Sequence, residues 1–423
     1  MTLRAHRLSV LGRPDFRRFF TGYATSLLGS AMSGVALAFA VLATGGGGTA
    51  LGAVMAARIL PLVLLLLLGG VATDRLGSRA VMLVADVLRC SAQAAFAVVL
   101  LTGRPGLAVM LLLAALGGIG EGLFTPALSA LIPTLSPPED LAQANSLLQI
   151  ARSGATVAGP ALAGLLAGLV GPAPVLAVDA ASYAVSVLAL SGLPTVRQHS
   201  GEAAGPSLAG ELRAGWSLFR GQTWLWVTTL HVGLFNLLVW APFLVLGPVL
   251  ARDRLGGAGA WGAVMACYGT GAVAGGLLLL RRRPGRPLLV AAVASLCWAL
   301  PSAALALGLP AAAVCVGAAV AGVGSSVNGV LGGTVIQQRV PAEYRGRIGA
   351  YTTLGAFVLG PLGLAAAGPL ASAVGATVVL GCGALWLPVA VAAVVAVPEV
   401  RAPDRGTVPG ARSPRRDRSR RIG

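Results

Sequence analysis

The sequence has 423 residues, of which 56% are hydrophobic and 11% are charged. A water-soluble domain needs roughly 25% charged residues to cover its surface, so a soluble protein is excluded. The net charge of +17 comes from arginine alone, because the sequence contains no lysine. Without lysine there is no G-x-x-x-x-G-K-[ST] phosphate loop, which excludes a Walker-type ATPase. Five scattered cysteines without a C-x-x-C spacing predict no metal site and no disulfide framework, and no cofactor is expected.

Apolar runs bounded by polar or Pro/Gly clusters predict twelve membrane-spanning helices, since a span needs about 20 apolar residues. The predicted helices cover residues 17–42, 50–72, 80–102, 107–134, 143–169, 173–193, 224–250, 259–280, 287–308, 311–336, 347–370 and 374–397. We therefore expect an all-α integral membrane protein. Its predicted parts are an N-terminal six-helix bundle (1–194), a cytoplasmic linker (195–223), a C-terminal six-helix bundle (224–400) and a disordered basic tail (401–423).

The arginines predict the orientation of these helices. With the N-terminus inside, 25 of the 31 arginines fall in cytoplasmic segments, three in external loops and three within the predicted spans. Basic residues concentrate on the cytoplasmic side of membrane proteins, so both termini are expected in the cytoplasm. The basic charge is thereby explained by topology, and no nucleic-acid partner is expected. A lysine-free composition rich in alanine, glycine and arginine is typical of a high-GC bacterial genome, which indicates a bacterial plasma (inner) membrane.

The two halves of the sequence repeat each other. The pentapeptide G-A-V-M-A occurs at residues 52–56 and again at 262–266, near the start of the second helix in each half. Gly159-Pro160 in the fifth helix is answered by Gly360-Pro361 in the eleventh. A six-plus-six parallel repeat around a central cavity is one of the ways in which secondary transporters are built.

The connection between the second and third helices carries a motif. Residues 70–79 read G-V-A-T-D-R-L-G-S-R. This segment resembles the G-x-L-a-D-R-x-G-R-[RK] signature of the major facilitator superfamily, matching it at Gly70, Asp74, Arg75, Gly77 and Arg79. Glycines permit a tight turn there, and Asp74 can cap a neighbouring helix or pair with an arginine. The resemblance implies two six-helix bundles and a cytoplasmic gate at this loop.

A second motif lies in the fifth helix, where residues 154–164 read G-A-T-V-A-G-P-A-L-A-G. It is similar to the glycine–proline motif of the antiporters of that superfamily, through Gly154, Gly159, Pro160 and Gly164. Proline removes a helical hydrogen bond and glycine lets a facing helix approach, although ordinary small-residue packing explains the pattern too. Over nearly the whole chain, the sequence resembles the subgroup of drug:proton antiporters and siderophore exporters.

Six charged residues fall in the interior of the predicted spans of the first half: Arg58, Asp86, Arg89, Glu121, Arg152 and Asp179. A charge at mid-membrane costs at least ~2.5 kcal/mol, so most of them must pair or face a wet cavity. Asp86 and Arg89 are spaced i, i+3 and can pair on one helix. Asp179 can cap a helix or pair with Ser182.

A carboxylate is more easily protonated when a neighbouring arginine moves away, which can tie a conformational change to a proton. We therefore expect Glu121 or Asp86 to be the protonation site, with Arg58 or Arg89 as its partner. A static ion-pair network that holds the first half rigid is the alternative.

The second half has no charge in the interior of its predicted spans, which suggests a cavity wall for hydrophobic or amphipathic cargo. Trp240, Trp298 and Trp386 can line that wall or anchor the helices at the membrane interface. His231 is interpreted as a hydrogen-bonded packing residue.

These features together predict a secondary-active exporter in which protons drive a small hydrophobic or amphipathic molecule (a drug, an antibiotic or a secreted metabolite) out of the cell by alternating access. A narrow-specificity siderophore exporter and a nutrient importer of the same fold remain alternatives. No constellation of nucleophile and base predicts an enzyme. The expected partners are the small-molecule substrate, protons and the lipid bilayer, and a monomer is expected to suffice.

Overall fold

The computed structural model describes residues 10–194, 216–281, 284–341 and 344–403. Within them, twelve helices are long and apolar enough to cross a membrane, and no strand is present. The helices of the first half are α1 (Pro14–Ala43), α2 (Gly48–Leu76), α3 (Ser78–Thr102), α4 (Leu107–Leu135), α5 (Leu141–Val170) and α6 (Pro172–Ser191). Those of the second half are α7 (Thr223–Leu255), α8 (Ala258–Arg281), α9 (Pro287–Ala306), α10 (Ala311–Arg339), α11 (Arg345–Phe357 with Leu359–Val374) and α12 (Ala376–Ala396).

The predicted all-α membrane fold is confirmed, and every predicted span coincides with one of these helices. Most of the predicted linker (195–223) and of the basic tail (401–423) lies outside the described residues. Because the number of spans is even, the chain enters and leaves on one face. We call this face the terminal side, and we call the opposite face, which holds the α1–α2 and α5–α6 connections, the far side.

Single glycines make the tightest connections between helices. Gly77 joins α2 to α3 with φ of 83°, a left-handed conformation that costs glycine nothing and other residues about 1–2 kcal/mol. Gly171 (φ 85°) joins α5 to α6, and Gly375 (φ 94°) joins α11 to α12 in the same way. The last two turns occupy equivalent places in the two halves, as expected for a repeat.

The two bundles meet through α5 against α8 and through α2 against α11. Gly52 lies against the carbonyl of Leu364, and Gly164 lies against the backbone of Gly262. These contacts are near the far-side ends of all four helices, and small residues let the backbones come this close. The bundles are therefore closed against each other on the far side. The repeated pentapeptides 52–56 and 262–266 begin with Gly52 and Gly262, which make equivalent contacts of this closure in the two bundles.

The structure corrects the alignment of the glycine–proline motif between the halves. Gly159 packs against Ala31 of α1, and its counterpart in contacts is Gly363, which packs against Ala241 of α7. Gly360 is the residue that the repeated Gly-Pro dipeptide pairs with Gly159. A Cβ placed on Gly360 would have no neighbour within 4 Å among the described residues. Gly159 and Gly363 are therefore the equivalent glycines of the two halves, because each lets the first helix of its bundle approach closely; the shared Gly-Pro dipeptide does not identify them.

Aromatic side chains fill the interior of the second bundle. Trp298 is 2% exposed, its ring is 4.8 Å from that of Trp240, and its Nε1 donates to Ser325 Oγ at 2.7 Å. The expectation that Trp298 lines a cavity wall is therefore wrong, because its ring is core. Trp386 stacks on His231 at 5.9 Å, and His231 Nε2 is hydrogen-bonded to Ser295 Oγ at 3.1 Å. These contacts agree with the interpretation of His231 as a packing residue.

Candidate functional site

A half-exposed ion pair joins α2 to α4. Arg58 Nη2 donates to Glu121 Oε2 at 3.1 Å, with 20% and 38% of the two side chains exposed. Gly118, one turn before Glu121, lies against the backbone carbonyl of Arg58, so the two helices can approach closely enough for the pair to form. Arg58 Nη1 also lies 3.5 Å from Ser33 Oγ on α1, which gives the guanidinium a second acceptor.

A second ion pair is buried within the first bundle. Asp86 and Arg89 pair along α3 as their spacing predicts, and Asp86 Oδ2 accepts a hydrogen bond from Ser186 Oγ at 2.6 Å. The guanidinium of Arg89 lies between the rings of Phe124 and Tyr183, 4.1 and 4.5 Å from their centroids. Cation–π contacts of this kind are strongest when desolvated, so this pair is firmly held.

Asp179 on α6 is fully buried and has no arginine within ion-pair distance among the described residues. Its Oδ2 accepts from Gln93 Nε2 at 2.5 Å. The expected pairing of its side chain with Ser182 is wrong, because the Ser182 hydroxyl donates to the main-chain oxygen of Asp179 at 2.7 Å. The carboxylate points instead to α3, where Gln93 lies one turn beyond Arg89.

Neutral side chains connect these groups into one polar network. Gln93 Nε2 donates to Ser33 Oγ at 2.7 Å, and Ser33 also faces Arg58, so contacts run from Glu121 to Asp179. A cavity of about 10 Å³ lies among Ser33, Arg58, Arg89, Gln93 and Tyr183, which is roughly the space of one water molecule. Sequence reasoning missed Ser33, Gln93 and Tyr183, and their only signal was polarity within apolar helices.

Arg152 is not part of this network. Its Nε donates to Tyr23 Oη on α1 at 2.8 Å, and its side chain is exposed. It lines an open groove of about 470 Å³ on the terminal side, between α4 and α5. The bundles thus close on the far side and leave a groove open on the terminal side.

The gate motif has one anchored residue. Arg79 donates from Nε to the carbonyl of Leu190 at 2.9 Å and from Nη2 to that of Ser191 at 2.6 Å, which ties the start of α3 to the end of α6. Gly77 makes the turn, and Gly70 has open space around it. Asp74 and Arg75 are exposed and make no hydrogen bond or ion pair with any described residue, so Asp74 forms neither the predicted helix cap nor the predicted pair with an arginine in this arrangement.

The fifth-helix motif lies at a junction of three helices. Gly159 contacts α1, Gly164 contacts α8, and the carbonyl of Pro160 faces Gly262. A Cβ placed on Gly154 would meet no atom within 4 Å in the described part of the chain, so no helix packs closely against this glycine. The motif therefore places two of its three glycines where one helix must approach another, and one of these contacts crosses between the bundles.

Among the described residues, no group of three or more His, Cys, Asp or Glu residues could hold a metal ion. Residues 19–364 match the Major Facilitator Superfamily, and the chain belongs to this superfamily of membrane transporters. It is a multi-pass membrane protein of a transporter family, not of an enzyme family.

Its relatives identify the branch. The chain is 30% identical over 391 residues to the multidrug efflux pump Tap of Mycobacterium tuberculosis, which covers 87% of this chain and 89% of that protein. It is 24% identical over 267 residues to macrolide efflux protein A of Streptococcus pyogenes, covering 62% of this chain and 65% of that one. The resemblance to the drug-efflux part of the superfamily is confirmed.

Solved structures agree in fold. The nucleoside transporter NupG has a TM-score of 0.72 at 15% identity and covers 90% of this chain and 98% of its own. A bacterial homolog of the human lysosomal transporter Spinster, in an inward-facing and unoccupied conformation, has a TM-score of 0.66 at 15% identity and covers 94% and 98%. At such low identity, these likenesses show the fold alone.

Proposed function

We propose that the protein is a proton-driven exporter of small hydrophobic or amphipathic molecules that works by alternating access. The observation that carries this proposal is the partly exposed Arg58–Glu121 pair, which lies in the first of two bundles that are closed against each other on the far side, while a groove of the first bundle is open on the terminal side. The efflux functions named for its two relatives support the direction of transport.

The terminal side corresponds to the cytoplasm in this proposal. Of the 31 arginines, 25 lie in segments assigned to that side and three in far-side loops, and such an excess marks the cytoplasmic face. The arrangement is then the inward-open state in the plasma membrane of a bacterium. A single chain holds both bundles, the ion pair and the groove, so a monomer in the bilayer suffices.

Glu121 is the carboxylate best suited to exchange a proton. Its side chain is 38% exposed, whereas Asp86 and Asp179 are fully buried. Loss of the contact with Arg58 favours the protonated form of Glu121, because a nearby cation stabilises the carboxylate. Asp86 and Arg89 then form the static part of the network. A membrane potential of 100 mV supplies ~2.3 kcal/mol for each charge that moves inward, which is enough to drive export of a neutral cargo.

The apolar second bundle favours a cargo with a large hydrophobic surface. A siderophore exporter of narrow specificity is the second candidate, since it shares the exporter motifs of α5. A nutrient importer of the same fold lacks support from the relatives, both of which are named for efflux.

Efflux of the neutral dye Nile red from energised cells, with and without a protonophore, tests the proposal. We expect efflux to stop with the protonophore and in Glu121→Gln. The exposed Glu139→Gln on the α4–α5 connection removes the same charge outside the network and should leave efflux unchanged. Efflux that persists in Glu121→Gln at the same expression level would exclude Glu121 as the coupling residue. Efflux that survives the protonophore would exclude proton coupling.

A further inference from the structure

The groove on the terminal side has the size and the lining of a small-molecule site. Its volume of about 470 Å³ lies within the ~300–1,000 Å³ range of ligand pockets. The apolar floor comes from Leu128, Ile132 and Leu148. Its polar wall is one face of α5, because Asn145, Gln149 and Arg152 recur at helical spacing.

Arg152 is the charged group of this groove, and it lies about 16 Å along α5 from Leu141, at 1.5 Å per residue. The 30 residues of α5 span about 45 Å, so a helix centred in a hydrocarbon core about 30 Å thick places Arg152 about 9 Å inside that core. An exposed arginine at that depth must face water or a ligand rather than lipid, because lipid exposure of a cation is costly.

No carboxylate of the described residues neutralises Arg152. Glu121 is held by Arg58, Asp86 by Arg89, and Asp179 is buried inside the first bundle. In the second half, no Asp or Glu lies within the predicted spans, so closure of the two bundles over the groove brings no acidic side chain from a second-half span to Arg152. The cation keeps its position through Tyr23, which accepts from Nε, while neither Nη group has a partner among the described residues. A fork of free N–H donors is the geometry that binds carboxylates and phosphates in two parallel hydrogen bonds.

The other polar groups of the groove add a direction. The Ser146 hydroxyl already donates to the carbonyl of Ala142 at 2.8 Å, so only its acceptor lone pairs are left. Asn145 gives one of its two amide N–H donors to the carbonyl of Leu141 at 2.9 Å and keeps the other donor and its side-chain oxygen. Gln149 lies between these neutral polar groups and the cationic end at Arg152. A ligand that fits has its acidic group inward at Arg152 and its neutral polar groups at the outer end, with an apolar body on the floor.

We propose that the groove recognises the acidic group of an amphipathic cargo through Arg152, so that acidic amphiphiles are preferred over their neutralised or cationic analogues. This inference rests on the proposed export function for its biological meaning, but it concerns binding, which needs no proton gradient.

The test compares two dyes that differ by one methyl group: tetramethylrhodamine, whose benzoate is free, and its methyl ester. Binding to the purified protein is measured by fluorescence anisotropy in phosphatidylcholine nanodiscs, where no anionic lipid competes, and empty nanodiscs correct for partitioning into lipid. We expect the acid to bind about tenfold or more tightly than the ester, as for a hydrogen-bonded charge pair.

Arg152→Gln should reduce the affinity for the acid to that for the ester and leave the ester unchanged, which also shows that the variant is folded. Arg152→Lys should keep part of the preference, since it keeps the charge without the fork. Arg104→Gln, which removes an exposed arginine from the far side, is the matched control and should behave as wild type.

Equal binding of the two dyes by the wild type, binding of neither, or a preference that survives Arg152→Gln would overturn the proposal. A protein that prefers the acid in nanodiscs, but whose efflux of both Nile red and tetramethylrhodamine from energised cells is unaffected by a protonophore, would instead refute proton-driven export and leave the acid site standing.

Discussion

Gly164 is a residue at which the far-side closure is sensitive to a single methyl group. A Cβ built at Gly164 lies 2.7 Å from the carbonyl oxygen of Ala258 and 2.7 Å from Cα of Gly262. Carbon atoms prefer a separation of about 3.5–4.0 Å, so Gly164→Ala requires α5 and α8 to separate by about 1 Å. The obstacles are main-chain atoms, which cannot rotate aside as a side chain can.

The cost of such overpacking is about 1–3 kcal/mol. In an alternating-access cycle, the α5–α8 contact is made when the far side is closed and is released when it opens, so the cost falls on one state. The ratio of far-side-open to far-side-closed molecules should therefore rise about 5- to 150-fold.

Pulsed electron paramagnetic resonance measures this ratio with spin labels at Arg104 and Leu309, in the far-side loops of the two bundles. The five native cysteines are first replaced by alanine. Gly164→Ala should enlarge the population at the longer distance. Gly168→Ala is the matched control one turn away, because the nearest atom to its built Cβ is 3.8 Å distant. If Gly164→Ala gives the same distance distribution as Gly168→Ala, the steric reasoning is refuted.

Three further predictions concern the same closure and the buried polar groups. A Cβ placed on Gly168 would lie 3.8 Å from the backbone nitrogen of Gly259, so cysteines introduced at these two positions should form a disulfide on oxidation. The disulfide should stop Nile red efflux until a reductant is added. Efflux that continues with the disulfide formed would contradict alternating access. Asp86→Asn should lower the stability by about 3–5 kcal/mol because it leaves Arg89 buried and unpaired, and Asp86→Asn combined with Arg89→Gln should recover part of the loss in a thermal unfolding assay in detergent. His231→Gln should lower the stability by about 1 kcal/mol in that assay and leave the pH profile of efflux unchanged, whereas an altered profile would make His231 a proton carrier.

The parts that sequence predicts are those that depend on local spacing. Twelve apolar runs predict twelve spans, because the thickness of the bilayer fixes the length of a helix that crosses it. The Asp86–Arg89 pair is predicted because residues at i and i+3 share a helix face. The choice of Arg58 as the partner of Glu121 is not predicted, because it depends on how Gly118 lets α4 approach α2.

The features that the sequence does not predict depend on neutral residues and on how closely the helices approach one another. Ser33 and Gln93 bridge Arg58 to Asp179, yet a serine and a glutamine in apolar helices give no charge pattern to recognise. The isolation of Arg152 is equally hidden, since its charge is one of six in the first half, and only the fold gives each of the other five an ion pair or a hydrogen bond to Gln93. The tryptophans of the second half look alike in sequence, and packing alone makes Trp298 core.

The contacts of α2 constrain how the proposed proton exchange at Glu121 could be coupled to motion of the two bundles. Gly52 at the far-side closure and Arg58 in the ion pair lie about 9 Å apart along the same helix. Because Gly118 holds α4 against the backbone of Arg58, rocking of the first bundle carries Arg58 and Glu121 together and does not by itself separate them. The separation must then come from the arginine side chain, and Ser33, 3.5 Å from Nη1, is an acceptor toward which it can turn. Ser33 belongs to α1, which also contacts α5 through Ala31 and Gly159, next to the far-side closure. A shift of α1 on α5 as the closure opens would therefore change the position of that acceptor and the strength with which Arg58 holds Glu121. The proposed proton exchange at Glu121 would then require a rearrangement of α1 within the first bundle, because rigid rotation of the two bundles alone would not separate Arg58 from Glu121.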